Sequence, residues 1–98
     1  MRRAAQTDSN HVLFGQTLRE LGYSVLDTHA VGKKDAPDWV AGRNGLTLFV
    51  ECVGTDAAPH TVEAHLARRR NWKGGPWIVA RDVDELLREL RWAEGAAG

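Results

Sequence analysis

The sequence predicts a three-layer α/β domain in which a mixed central sheet is flanked by helices. Helical and strand-like patterns alternate along the chain, Asn44-Gly45 marks a β-hairpin, and both faces of that hairpin carry large apolar side chains. A strand pair with two apolar faces is typical of a central position in a sheet covered on both sides. The predicted order of elements is α-β-β-β-α-β-α.

Length and composition fit one domain over residues 1–98, with residues 1–6 and 93–98 expected to be flexible. Hydrophobic residues make up 43% and charged residues 27% of the chain, which is ordinary for a globular protein. The formal net charge is zero, so bulk basicity gives no argument for nucleic acid. The single cysteine suits a reducing cytoplasm, where we expect the protein, and no apolar run is long enough for a membrane span.

The helices are predicted from capping residues and apolar spacing. The first begins at one of four good N-cap residues at 7–10 and ends at about Leu21. The second covers about 61–72 and is basic at its C-terminal end, where the helix dipole favours cations. Asp82 caps the third helix, with Glu85 at the capping-box position.

Four strands are predicted from runs of β-branched, aromatic and other apolar residues. They cover residues 23–28, 38–43, 46–53 and 77–80. The second and third strands form the hairpin, and the fourth is a short buried strand that follows the second helix.

Asn44-Gly45 is the strongest short-range hairpin signal, because both central positions of a type I′ turn need positive φ. A two-residue loop at these positions pairs Asp38 with Glu51 on neighbouring strands. Like charges directly opposite each other destabilise a sheet, and a shared divalent cation would remove that penalty. The alternative is that one carboxylate is exposed, or that the register differs; a shift by one residue would place the two on opposite faces.

A series of short motifs carries a family resemblance. Pro37-Asp38, a gap of twelve residues and Glu51-Cys52-Val53 resemble the motif of the PD-(D/E)xK nucleases, which have a restriction-endonuclease-like fold. The flanking motifs are similar to those of small VRR-NUC nucleases, often phage proteins described as Holliday-junction-resolvase-like. These motifs are Asp8-Ser9-Asn10-His11, Leu18-Arg19-x-x-Gly22, Val31-Gly32, Asn71-Trp72-Lys73-Gly74 and Trp77-Ile78-Val79.

The resemblance implies metal-dependent hydrolysis of phosphodiesters in duplex or branched DNA, with Mg²⁺ or Mn²⁺ as cofactor. It implies that Asp38 and Glu51 are catalytic metal ligands and that the backbone carbonyl of Cys52 is a third ligand. It also implies a homodimer, because a DNA junction has two-fold symmetry.

Two catalytic positions of the family carry apolar residues here. Val53 stands where the motif lysine is expected, and Leu13 stands where a helix glutamate is expected. Loss of one electrostatic donor typically lowers the rate by about a hundredfold to a thousandfold. Lys33 and Lys34 are candidates for a relocated catalytic lysine and for phosphate contacts, and His11 is a further candidate metal ligand.

The basic end of the second helix is the other candidate for nucleic-acid binding. A solvated helix end explains these cations equally simply, but beside an acidic site they favour contacts with backbone phosphates. The residues concerned are Arg68, Arg69, Arg70 and Lys73.

Three functions follow, in this order. The first is a nuclease-fold DNA-binding protein with impaired catalysis. The second is an active Mg²⁺-dependent endonuclease with a relocated lysine. The third is a repurposed fold that binds a protein partner, which the net charge of zero favours.

Overall fold

The computed structural model describes residues 3–31 and 36–97 and confirms the predicted order of elements. None of the helices in these two ranges is both long enough and apolar enough to cross a membrane. The helices are α1 (Arg3–Glu20), α2 (Pro59–Asn71) and α3 (Val83–Ala97); the strands are β1 (Ser24–Asp27), β2 (Trp39–Arg43), β3 (Leu46–Cys52) and β4 (Trp77–Ala80); a short 3-10 turn covers His29–Val31.

The four strands form one mixed sheet in the order β1-β2-β3-β4. The pairs β1–β2 and β2–β3 are antiparallel, and β4 is parallel to β3 because α2 returns the chain to the other end of the sheet. The hairpin of β2 and β3 therefore occupies the centre, as its two apolar faces predicted.

The hairpin turn has the predicted backbone conformation and sets the predicted register. Asn44 and Gly45 have φ values of 54° and 82°. The register runs from Arg43 opposite Leu46 to Trp39 opposite Val50, and the predicted pair of Asp38 and Glu51 lies one residue beyond the paired positions. The Asp38 N–H donates to the Val50 carbonyl at 3.0 Å, and because Val50 already pairs with Trp39, the regular ladder ends at Trp39.

One face of the sheet packs against α1 and α3 and forms the main core. Trp39 is central to this layer, because its indole Nε1 donates to the His11 carbonyl of α1 at 3.2 Å. Gly15 lies under the same indole and leaves room for it. The fully buried side chains of the layer include Phe14, Leu18, Leu48, Val50, Ile78 and Leu86.

The opposite face packs against α2. Val53 is 2% exposed and lines a cavity together with Val62 and Leu66 of this helix. Just after the helix, the Trp72 ring lies 5.1 Å from the ring of Phe49 and 5.2 Å from that of Trp77. These contacts complete the three-layer arrangement.

Two helix ends differ from the prediction. Helix α1 begins at Arg3, before the predicted caps, because Ala4 and Ala5 are strong helix formers. Helix α3 continues to Ala97, since Ala93 extends its apolar stripe and is fully buried. Both helices thus continue into the terminal segments, residues 1–6 and 93–98, for which flexibility was predicted.

Candidate functional site

Glu51 lies on the α2 face of β3, is 2% exposed, and both of its carboxylate oxygens have partners. Oε1 accepts from Trp77 Nε1 at 3.2 Å and lies 3.0 Å from His65 Nδ1. Oε2 accepts from Arg68 Nη2 at 2.9 Å and Nε at 3.2 Å. His65 and Arg68 are three residues apart on α2, so they share the helix face that meets the sheet.

The charged form of Glu51 is favoured by this environment. Burial alone raises the pKa of the carboxyl, but the hydrogen bonds from His65 and Arg68 outweigh burial and hold the pKa below its ordinary value of 4.5. Glu51 is therefore an ionised carboxylate at neutral pH, and its charge is already compensated.

This arrangement does not fit a magnesium ligand. A hard cation needs free carboxylate oxygens, whereas those of Glu51 are engaged. The Arg68 guanidinium in contact with Oε2 would also repel a cation at that position. In this arrangement the Glu51 carboxylate connects α2 to the sheet through its bonds with His65 and Arg68.

Asp38 has different partners and lies just before the first paired residue of β2. Its Oδ2 accepts the backbone N–H of Cys52 at 2.7 Å, and its Oδ1 lies 3.2 Å from His29 Nδ1. Asp38 precedes the first residue of β2, so strand alternation does not fix the direction of its side chain. The carboxylate faces the 3-10 turn after β1.

Cys52 carries a thiol that stays protonated at neutral pH. Burial, together with the charge of Asp38, raises the pKa of the thiol to about 12. The predicted role of its backbone carbonyl as a metal ligand stays a prediction.

The two positions that differ from the expected nuclease motif, Val53 and Leu13, have different surroundings. Val53 is buried under α2, and Leu13 on α1 is 46% exposed. Lys33 and Lys34 lie outside the described residues, so their proposed catalytic and phosphate-binding roles stay predictions.

The cations at the basic end of α2 differ in their partners and in their exposure. Arg68 is bound to Glu51, and Arg69 Nη1 lies 3.9 Å from a Glu89 oxygen. Arg70 forms an exposed pair with Glu63 at 2.9 Å. Lys73 is exposed and forms no ion pair within residues 3–31 and 36–97. Of these four cations, Arg70 and Lys73 are therefore the most available to a ligand.

A second group of polar side chains surrounds His11, which is 6% exposed. Its ring stacks on Trp39 at 4.4 Å and lies 4.7 Å from the His29 ring. Its Nε2 lies 3.2 and 3.3 Å from the two oxygens of Asp27, which also accepts the His29 N–H at 3.0 Å. One ligand atom each from His11, His29 and Asp38 lie within 4.8 Å of one another.

Sequence reasoning identified only part of these contacts. It named His11 as a candidate ligand and assigned no site role to Asp27, His29 or His65. The available signals were Asp27 and His29 on either side of the end of β1, and the spacing of His65 and Arg68 on one helix face.

Comparison of the chain with protein-family models, curated proteins and solved structures found no match.

Proposed function

We propose that this chain is a DNA-binding protein with a nuclease-like fold in which catalysis by Asp38 and Glu51 is impaired. The observation that carries the proposal is the state of Glu51, whose carboxylate is buried and bound to Arg68, His65 and Trp77. The element order and the hairpin register support the nuclease-like layout, while Glu51 lacks the free oxygens that metal-dependent hydrolysis requires.

DNA binding is supported by the exposed end of α2. Trp72 is 44% exposed and lies between Arg70 and Lys73 in the chain. The Arg70–Glu63 pair is exposed on both sides, and such pairs contribute only about 0–1 kcal/mol, so Arg70 can exchange its partner for a phosphate. An aromatic ring beside cations also suits stacking on an unpaired base at a DNA branch.

Fluorescence anisotropy with labelled duplex and four-way-junction DNA tests this binding. Each phosphate contact contributes about 0.9 to the slope of log affinity against log salt concentration. We therefore expect the double variant Arg70→Gln/Lys73→Gln to reduce that slope by about two units. The control is Arg91→Gln, since Arg91 is exposed on α3 and lines a cavity with Leu21 and Tyr23 that no residue of α2 lines. Absence of binding to any DNA at low salt would exclude the proposal.

A cleavage assay with Mg²⁺ or Mn²⁺ tests the impaired catalysis. We expect no more metal-dependent cleavage by the wild type than by Asp38→Ala. Efficient wild-type cleavage that Lys33→Ala or Lys34→Ala abolishes would instead support the active endonuclease with a relocated lysine.

A protein contact is the second candidate function, and the exposure of Trp92 favours it. Trp92 on α3 is 68% exposed at a cleft of about 720 Å³ that Leu46, Pro76 and Trp77 also line. A second copy of the chain is the partner that the resolvase resemblance implies. Sedimentation velocity of wild type and Trp92→Ala tests it: a dimer that the substitution dissociates supports the contact, and a monomer at every concentration opposes it.

A further inference from the structure

We infer that His11, His29 and Asp38 form a binding site for a divalent transition-metal ion. Their three ligand atoms lie within 4.8 Å of one another. Metal–ligand bonds of about 2.0–2.2 Å place neighbouring ligand atoms about 3.0–3.5 Å apart. His29 Nδ1 and Asp38 Oδ1 already lie 3.2 Å apart, a separation that two ligands of one ion would have.

The state of His11 is the second, independent observation. Its Nδ1 is buried and has no hydrogen-bond partner among the described residues, whereas its Nε2 faces the Asp27 carboxylate. A metal-ligating histidine typically donates its second ring N–H to a carboxylate, which places the lone pair on the other nitrogen. Asp27 therefore holds His11 in the tautomer that leaves Nδ1 able to bind a cation.

The surroundings both fix the ligands and leave access for an ion. His11 is held by α1 and by stacking on Trp39, while Asp38 is fixed by the Cys52 N–H. The His29 side chain is 45% exposed and opens the group to solvent. Two imidazoles and one carboxylate favour ions such as Zn²⁺, Co²⁺ or Mn²⁺ over Mg²⁺, which prefers oxygen ligands.

Titration with Co²⁺, followed by visible absorption, and with Zn²⁺, followed by calorimetry, tests the site without DNA. We expect one equivalent of either metal to bind the wild type. His29→Ala and Asp38→Asn should each weaken binding by more than tenfold, and Asp27→Asn, which changes only the orienting partner of His11, by about tenfold to a hundredfold. Circular dichroism of each variant checks that it is folded.

His60→Ala is the matched control, because His60 is an exposed histidine in the first turn of α2. Its affinity should equal that of the wild type. Equal affinities of wild type and His29→Ala would overturn the inference, as would an equal loss in His60→Ala, which indicates nonspecific surface binding.

Long-range ¹H–¹⁵N spectra of the histidine rings give a second readout that does not depend on affinity. We expect His11 of the metal-free protein to carry its proton on Nε2, and we expect the Nδ1 resonance to shift when Zn²⁺ is added. A proton on Nδ1 in the neutral metal-free ring would contradict the inference. These measurements use the metal alone, so their outcome is separate from that of the DNA-binding tests.

Discussion

The Cys52 thiol lies at the end of β3, where burial and the nearby Asp38 charge disfavour the thiolate. Both effects raise the pKa, from the ordinary value of 9.0 to about 12. Because the thiolate is the reactive species, we expect iodoacetamide to modify the native protein very slowly at about pH 8 and the urea-unfolded protein rapidly. Mass spectrometry of timed samples measures both rates. Comparable rates in the two states would contradict the assignment of Cys52 as an inert, partly buried side chain.

Gly15 determines how closely α1 approaches β2. A Cβ at this position would lie 2.5 Å from Cζ2 and 2.6 Å from Cη2 of Trp39. Alanine favours a helix over glycine by about 1 kcal/mol, but overpacking typically costs about 1–3 kcal/mol, and this clash involves a buried indole. We expect Gly15→Ala to lower the free energy of unfolding by about 1–3 kcal/mol in urea denaturation.

Gly95→Ala is the matched control for this substitution. Gly95 is also helical, but a Cβ there meets nothing within 4 Å. Helix propensity alone should then act and stabilise the protein by up to about 1 kcal/mol. A stabilised Gly15→Ala variant would show that the Trp39 indole can move aside at little cost.

At the level of whole elements, α2 differs from α1 and α3 because none of its residues is buried. It contacts the sheet through the bonds of His65 and Arg68 to Glu51, and the chain just after it packs through Trp72. Elements with few buried apolar contacts open at low free energy. We expect the amide hydrogens of α2 to exchange faster than those of α1 and α3, as measured by mass spectrometry or NMR.

Glu51→Gln should loosen α2 selectively. Removing one partner of a buried ion pair costs about 3–5 kcal/mol, and we expect about 2–4 kcal/mol here because Arg68 keeps 24% of its side chain exposed. Exchange in α2 should accelerate more than exchange in α1. The control Glu63→Gln breaks the exposed pair with Arg70 and should cost no more than about 1 kcal/mol.

The elements differ in how far sequence alone could predict them. The hairpin was predictable in detail, because Asn44 and Gly45 supply a local preference for positive φ that fixes the register. The ends of α1 and α3 were less predictable, since their extent depends on packing as well as on caps. The cap at the start of α3 was predicted in part. The Asp82 carboxylate accepts the Glu85 N–H as predicted, but the Glu85 carboxylate accepts the N–H of Arg81.

For the molecule as a whole, the sequence predicted the layers but not the contacts of the candidate site. The hairpin register reaches Trp39 opposite Val50, and it determines neither the pairing of Asp38 nor where the Asp38 and Glu51 carboxylates find their donors. The Glu51 partners come from α2, and the position of a helix on a sheet follows from tertiary packing. The histidine cluster likewise joins His11 to residues of another element, a proximity that no local pattern encodes.

Acidification tests how far such ionic contacts stabilise the whole molecule. Burial alone raises the pKa of Asp27 and Glu51, but the hydrogen bonds that they accept outweigh it, and both values lie below the ordinary 3.8 and 4.5. The hydrogen bond from Arg43 is the main cause that lowers the pKa of Glu94, and the Arg43 Nε lies 2.8 Å from its Oε2. Folding therefore lowers the pKa of all three carboxyls.

A carboxyl whose pKa is lowered by folding stabilises the protein above its ordinary pKa, and this contribution is lost as pH falls through the folded value. We expect these carboxyls to leave the free energy of unfolding unchanged between about pH 7 and 5.5 and to lower it steadily below about pH 4.5. Urea denaturation across this range measures it. Glu51→Gln should approach the wild type as pH falls, because protonation neutralises the same carboxylate. A difference between the two proteins that stays constant down to about pH 3 would show that Glu51 does not contribute through its charge.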